Sequence, residues 1–202
     1  MDTKFNKIYQ FKIALKETKP PIWRRIQVPE NYSLWDLHVA IQDAMGWMDY
    51  HLHNFVFPRP IDYLMKNMSM AFVRGIRIGI KSDDWDDEEM LDGKLEKVKK
   101  WFSLKCPKAN YTYDFGDNWE HWVVLEKILP KEKDIKYPIC LAGKRQCPPE
   151  DCGGVWGFKD LDSGKHPSQD HFESFYDPTE EFDPQDVSFD DPKERGEEAE
   201  RF

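Results

Sequence analysis

The apolar residues change period within the first forty-six positions, and that change constrains the fold more than any other feature of the sequence. From Ile8 to Leu15 the chain reads I-Y-Q-F-K-I-A-L. Tyr9, Phe11, Ile13 and Leu15 line one face, and Gln10, Lys12 and Ala14 alternate with them. Alternation by two marks a strand with one buried face. Lys19-Pro20-Pro21 ends it, because proline donates no backbone hydrogen bond and holds the preceding residue extended. A second strand runs from Ile22 to Val28 and stops at Pro29, which predicts an antiparallel hairpin. At Ser33 the period lengthens. Leu34, Leu37, Ile41, Ala44 and Met45 recur every three or four residues and form one apolar stripe on a helix. Ser33 is placed to cap its start with Asp36 three positions on, and Gly46 is placed to stop it.

Further along, His51 to Phe57 reads as a strand ended by Pro58 and Pro60. Met70 to Ile80 has β-like alternation, Ser82 to Glu89 is an acidic loop, and Leu91 to Phe102 is a short helix bearing lysines. Ala109 to Asp114 and Trp119 to Leu129 are strands around a tight Phe115-Gly116-Asp117-Asn118 turn. Residues 130–158 are irregular and rich in Pro, Gly and Cys. Ser168 to Tyr176 is a last helix before an extended acidic tail. The predicted class is α+β: a mainly antiparallel sheet with helices on one face, opening β-β-α-β. Residues 1–158 form one globular domain that includes the Cys/Pro/Gly-rich loop at 137–158. Residues 159–202 are an acidic extension with a short helix, packed on the domain or trailing from it.

Charge follows this division. Of the chain's 38 acidic and 29 basic side chains, 15 and 5 fall in residues 159–202, so the rest is close to neutral. An acidic tail of this kind is solvated and opposes non-specific binding to phosphate backbones. One basic stretch stands out, with Lys94, Lys97, Lys99, Lys100, Lys105 and Lys108 opposed by Glu96 alone. A solvated helix face accounts for it. Aromatics make up 14% of the chain, including 8 Trp, which is enough for a packed core. No apolar run approaches the ~18 residues of a membrane span. Met1 to Lys4 leads straight into the first strand without a secretory signal, so a cytoplasmic, reducing location is expected.

Several segments in order resemble the plasmid pRiA4b ORF-3-like family. They are P-P-I-W-R-R-I at Pro20 to Ile26, L-H-V-A-I-Q-D-A-M-G-W at Leu37 to Trp47, and H-L-H-N-F at His51 to Phe55. Y-D-F-G-D-N-W-E-H at Tyr113 to His121, Y-P-I-C at Tyr137 to Cys140 and C-P-P-E-D-C-G-G at Cys147 to Gly154 follow. The resemblance extends from about Tyr9 to Phe182-Asp183-Pro184 and is weakest from Ile61 to Met90. It implies a protein of unknown function of the kind carried by mobile elements, and hence an expectation of nucleic-acid work. It carries over no catalytic residue.

Four constellations are chemically capable. Cys140, Cys147 and Cys152 could hold Zn²⁺ with a fourth ligand from His121, Asp151 or Cys106. Their spacing is not that of a zinc knuckle, and a tight Pro/Gly turn with small buried thiols is the other reading. Asp114, Asp117, Glu120 and His121 surround the predicted turn, where carboxylates and an imidazole could bind a cation or act as acid and base; turn chemistry also accounts for them. Trp119 beside them favours a partner-facing surface, or packs in the core. His51 and His53, two apart on a strand, would face the same way and could share a metal. Arg24 and Arg25 beside Trp23 suit phosphate contact or base stacking, or else both point to solvent above a packed Trp23.

Phosphate-binding and dinucleotide-binding glycine loops and the G-x-S-x-G elbow are missing. The leading expectation is a non-enzymatic binding or interaction module with an unidentified protein or nucleic-acid partner. Its surface would centre on the Asp114 to His121 hairpin and the Cys140 to Gly154 loop. The alternatives are a nucleic-acid-associated accessory protein using Arg24, Arg25 and Lys94 to Lys108, and a metal-dependent hydrolase using His51, His53, Asp117, Glu120 and His121.

Overall fold

The computed structural model describes residues 4–58, 75–80 and 90–199. Eight strands form one sheet. In chain order they are β1 (Lys7–Leu15), β2 (Trp23–Pro29), β3 (His53–Phe57), β4 (Ile76–Gly79), β5 (Leu91–Asp92), β6 (Lys108–Tyr113), β7 (Trp119–Pro130) and β8 (Ile139–Lys144). Across the sheet they lie β5-β4-β3-β6-β7-β1-β2-β8, and every pairing is antiparallel except β4 with β5. The expected β1–β2 hairpin forms in the register Phe11 opposite Ile26, and the β6–β7 hairpin in the register Tyr111 opposite His121. The fold is α+β, as the order of periods predicts.

Period-two alternation sorts the side chains onto two faces. Phe11, Ile13, Leu15, Ile26, Val28, Phe55, Tyr111, Tyr113, Trp119, His121 and Val123 face inward and are buried. The other face is polar: Arg25 and Gln10 donate to the Glu126 carboxylate, Gln27 donates to Gln10 Oε1, Lys12 lies over the Trp23 ring, and Lys16 lies over Trp122. This is the one-sided pattern of an antiparallel sheet.

Helix α1 (Leu34–Met45) covers the inward face. Its whole predicted stripe is buried, the Ser33–Asp36 capping box forms in both directions, and Gly46 closes it in the left-handed region at φ 82°. The Arg24 guanidinium Nε donates to Ala44 O at 2.8 Å, tying the helix end to β2. Among the described residues four shorter helices follow: α2 (Val98–Trp101), α3 (Gly154–Asp162), α4 (Gln169–Phe172) and α5 (Pro192–Ala199). None is long and apolar enough to cross a membrane among the described residues.

Several expectations need correction. Leu91 to Phe102 is a two-residue strand, a turn and the single helical turn α2. Residues 130–158, expected to be irregular, supply the edge strand β8 and the start of α3. The last stretch is not simply extended, since it ends in α5, where Trp35 Nε1 donates to Pro192 O at 2.8 Å. The strand expected from His51 begins only at His53. Within Met70 to Ile80 the described part is β4 and its flanks, and Ser82 to Glu89 lies outside the described residues.

Candidate cation site where three loops meet

At the end of the sheet where β3 begins and β6 ends, three loops converge. The first, residues 46–52, joins α1 to β3. The second, residues 114–118, joins β6 to β7. The third, residues 145–153, joins β8 to α3. The second and third touch directly. Gly153 N donates to Asp117 Oδ2 at 3.1 Å, and Gly154, at φ 65°, packs so closely that a Cβ would run into the Asp117 carbonyl. Glycine is therefore required at 154 on both counts.

Each loop contributes one side chain to a shared point. His51 Nε2 lies 3.2 Å from Asp151 Oδ1 and 3.7 Å from Asp114 Oδ2. One donor atom from each residue lies within 4.8 Å of the others. The side chains are 29%, 72% and 9% exposed for His51, Asp151 and Asp114, so the cluster opens to solvent on the Asp151 side. His51 Nε2 itself is buried and makes no hydrogen bond, with both carboxylates near it. Asp114 Oδ1 accepts from Gly116 N at 2.8 Å, which fixes the rotamer and leaves Oδ2 turned towards the imidazole. Asp114 and Asp151 both hold left-handed backbones, at φ 55° and 58°. Such conformations cost of order 1 kcal/mol or more in non-glycine residues and concentrate at functional sites. Chemically, the cluster offers one imidazole nitrogen and two carboxylates, a donor set suited to a divalent ion such as Zn²⁺ or Mn²⁺ with positions left for another ligand.

The sequence candidates divide between this site and the interior. Asp114 and Asp117 lie in the converging loops. Trp119 and His121 are fully buried on the inward face of β7, and burial pushes the His121 pKa down to about 3. Glu120 lies on the outer face against Lys16 at 3.4 Å. Arg24 is not a surface residue. It lies on the inward side with Ile26 and Val28, donates to Trp23 O, Lys144 O and Ala44 O, and stacks on Phe182. Arg25 lies on the outer face in a two-pronged pair with Glu126 at 2.6 and 2.9 Å.

His53 does not share a face with His51. It is inside, stacked on His38 with ring centroids 3.4 Å apart, whereas His51 precedes the strand and escapes the alternation. The cysteines do not gather. Cys147 is buried beside Arg24 and Met45, Cys152 is buried, Cys140 is half-buried on β8, and Cys106 is exposed. Among the described residues the one cluster of three His, Cys, Asp or Glu with donor atoms this close holds no cysteine. Burial raises the thiol pKa of Cys147, and that of Cys152 to about 12, which keeps both protonated.

Sequence reasoning missed a second buried group. His38 Nδ1 lies 2.8 Å from Tyr111 OH and His38 Nε2 lies 2.7 Å from Asp49 Oδ1. Gln42 Nε2 donates to the same hydroxyl, so Tyr111 gives its proton to Nδ1 and His38 donates Nε2–H to Asp49. Burial holds the His38 and His53 pKa values well below the usual range, so both rings are neutral beside Asp49. Arg195 of α5 balances that charge.

Residues 7–191 match the family model described as plasmid pRiA4b ORF-3-like protein. An uncharacterised protein of Sinorhizobium fredii, y4hQ, is 29% identical over 154 residues, covering 76% of this chain and 71% of its own. The crystal structure of MM3350 of Methanosarcina mazei Go1, titled a protein of unknown function, aligns with TM-score 0.77 and 44% identity over 92% of this chain and 99% of that one. Neither name assigns a reaction. The family match spans nearly the whole chain, and the chain belongs to the plasmid pRiA4b ORF-3-like family.

Proposed function

We propose that the protein is a divalent-cation-dependent binding module whose ligand-facing surface is formed by the loops at 46–52, 114–118 and 145–153. The observation that carries this reading is the convergence of His51, Asp114 and Asp151 on one point with the His51 Nε2 atom buried and making no hydrogen bond. A buried imidazole nitrogen without a partner is costly, and a cation would satisfy it together with both carboxylates. Three protein ligands leave coordination positions for a bound molecule. Tyr50, Met48 and Phe115, all exposed in the same loops, offer apolar contact beside it. The imidazole favours Zn²⁺ over Mg²⁺ or Ca²⁺, and the two carboxylates also suit Mn²⁺.

The other two expectations find less support. Arg24 and Arg25 are engaged within the fold, which leaves a nucleic-acid reading only the lysines. The hydrolase set is divided between the core (His53, His121), the outer face (Glu120) and the loops. Calorimetric titration of chelator-treated, untagged protein tests the proposal. One Zn²⁺ or Mn²⁺ per chain, abolished by Asp114→Asn, is the expected result. No binding of any divalent ion would overturn it.

A further inference from the structure

We infer that Glu150 is the positioning residue of this site, the group that holds the three ligand-bearing loops in register. The inference rests on the cation reading above. The three ligands are far apart in sequence and none lies within a strand or helix, so nothing in the regular structure fixes their separation. A metal site needs its donors held to within a few tenths of an ångström, and that precision comes from the surrounding hydrogen bonds.

Glu150 supplies such bonds. One carboxylate oxygen, Oε2, accepts from Met48 N at 2.7 Å, in the loop of His51. The other, Oε1, accepts from the Tyr113 hydroxyl, at the end of β6. That hydroxyl in turn accepts from Tyr50 N at 3.0 Å, back in the first loop. Each point of attachment sits beside a ligand: Tyr113 precedes Asp114, Glu150 precedes Asp151, and Met48 and Tyr50 flank the approach to His51. One side chain thus connects all three loops through charge-assisted bonds, the stronger kind. Three further bonds run the same way, from Trp47 Nε1 to Pro148 O at 2.8 Å, from Asp114 N to Leu52 O at 2.9 Å and from Gly153 N to Asp117 Oδ2 at 3.1 Å. These join the loops in pairs only.

The experiment measures Zn²⁺ and Mn²⁺ affinity of the full chain by calorimetry for wild type, Glu150→Ala, Glu150→Gln and Tyr113→Phe. Glu150→Ala should weaken binding about 10- to 100-fold, the usual effect of losing an outer-shell partner. Glu150→Gln keeps one acceptor oxygen and should recover part of that loss. Tyr113→Phe removes the bond to Glu150 and the one from Tyr50 N while leaving Met48 N bound to Glu150, and should also weaken binding. Glu126→Ala, which breaks the pair with Arg25 on the outer face of the sheet, controls for stability and should leave affinity unchanged. Wild-type binding with Glu150→Ala and Tyr113→Phe both within twofold of it would overturn the positioning role and leave the site standing. Absence of binding in wild type would overturn both. A Glu150→Ala chain that fails to fold leaves Tyr113→Phe to decide.

Discussion

Replacing Arg195 by methionine should unfold the chain more easily at neutral pH than in mild acid. The guanidinium of Arg195 pairs with Asp43 and with Asp190, and approaches Asp49 Oδ2 at 3.9 Å. The Asp43 and Asp49 side chains are only 4% and 7% exposed, so without Arg195 two carboxylates remain in the interior with no cation beside them. Burial already raises both pKa values to about 6 with the arginine present. At pH 7 each acid can escape by taking up a proton, at about 1.4 kcal/mol for one pKa unit. The electrostatic loss is therefore capped near 3 kcal/mol for the pair, at the low end of the roughly 3–5 kcal/mol seen when a buried pair is broken. The Asp190 contact is exposed and adds little.

The sign with pH follows from the raised values. A carboxyl whose folded pKa lies above its unfolded 3.8 favours folding when protonated, so this contribution grows as pH falls through 6 and is lost as pH rises past it. In the variant both pKa values move further up. Urea unfolding at pH 7.0 and 5.5 should show a deficit of about 3 kcal/mol in the first and well under half of that in the second. At neutral pH this corresponds to roughly 6–12 °C in Tm. A deficit below about 1 kcal/mol at pH 7.0, or one equal at the two pH values, would refute the reasoning.

Ser33→Ala removes the acceptor for Asp36 N at 3.0 Å and should cost about 1 kcal/mol in urea unfolding, with the far-UV helix signal lost in proportion. Gly154→Ala sets a Cβ against the Asp117 carbonyl in a left-handed backbone and should cost about 2 kcal/mol or more, against near-neutrality for an unconstrained helix start. Thiol titration of the native chain should show Cys106 reacting promptly and Cys147 and Cys152 only after denaturant, since both are buried and protonated; prompt reaction of either would contradict their placement.

The local elements were legible because their signals are local. The alternation of Ile8 to Leu15 and the stripe from Leu34 to Met45 each need only a dozen residues, and both were realised with their caps. Arg24 shows where residue type misled. Its position two before Ile26 and four before Val28 assigns it inward, yet charge argued for solvent. The strand obeyed the alternation, and the carbonyls of Ala44, Trp23 and Lys144 satisfied the guanidinium inside. The candidate cation site had no local signal, since His51, Asp114 and Asp151 meet only after strands far apart in sequence have paired. Glu150 was hidden inside a motif read for its cysteines. Helix α5 has no apolar stripe to find, because it docks through a backbone carbonyl to Trp35 and through Arg195.

The strand order also governs how the chain emerges during synthesis. Strand β1 lies between β2 and β7, so its first partner follows within a few residues and its second is not made until Trp119–Pro130. At roughly 5–20 residues per second, the hairpin and its capped helix wait on the order of ten seconds with one long edge of β1 unpaired. Phe11 and Ile13 stand along that edge without the β7 side chains that later pack beside them. The polar outer row of Gln10, Lys12, Arg25 and Gln27 keeps half of this early unit wetted through the interval, which limits the surface a neighbouring nascent chain could seize to a single face.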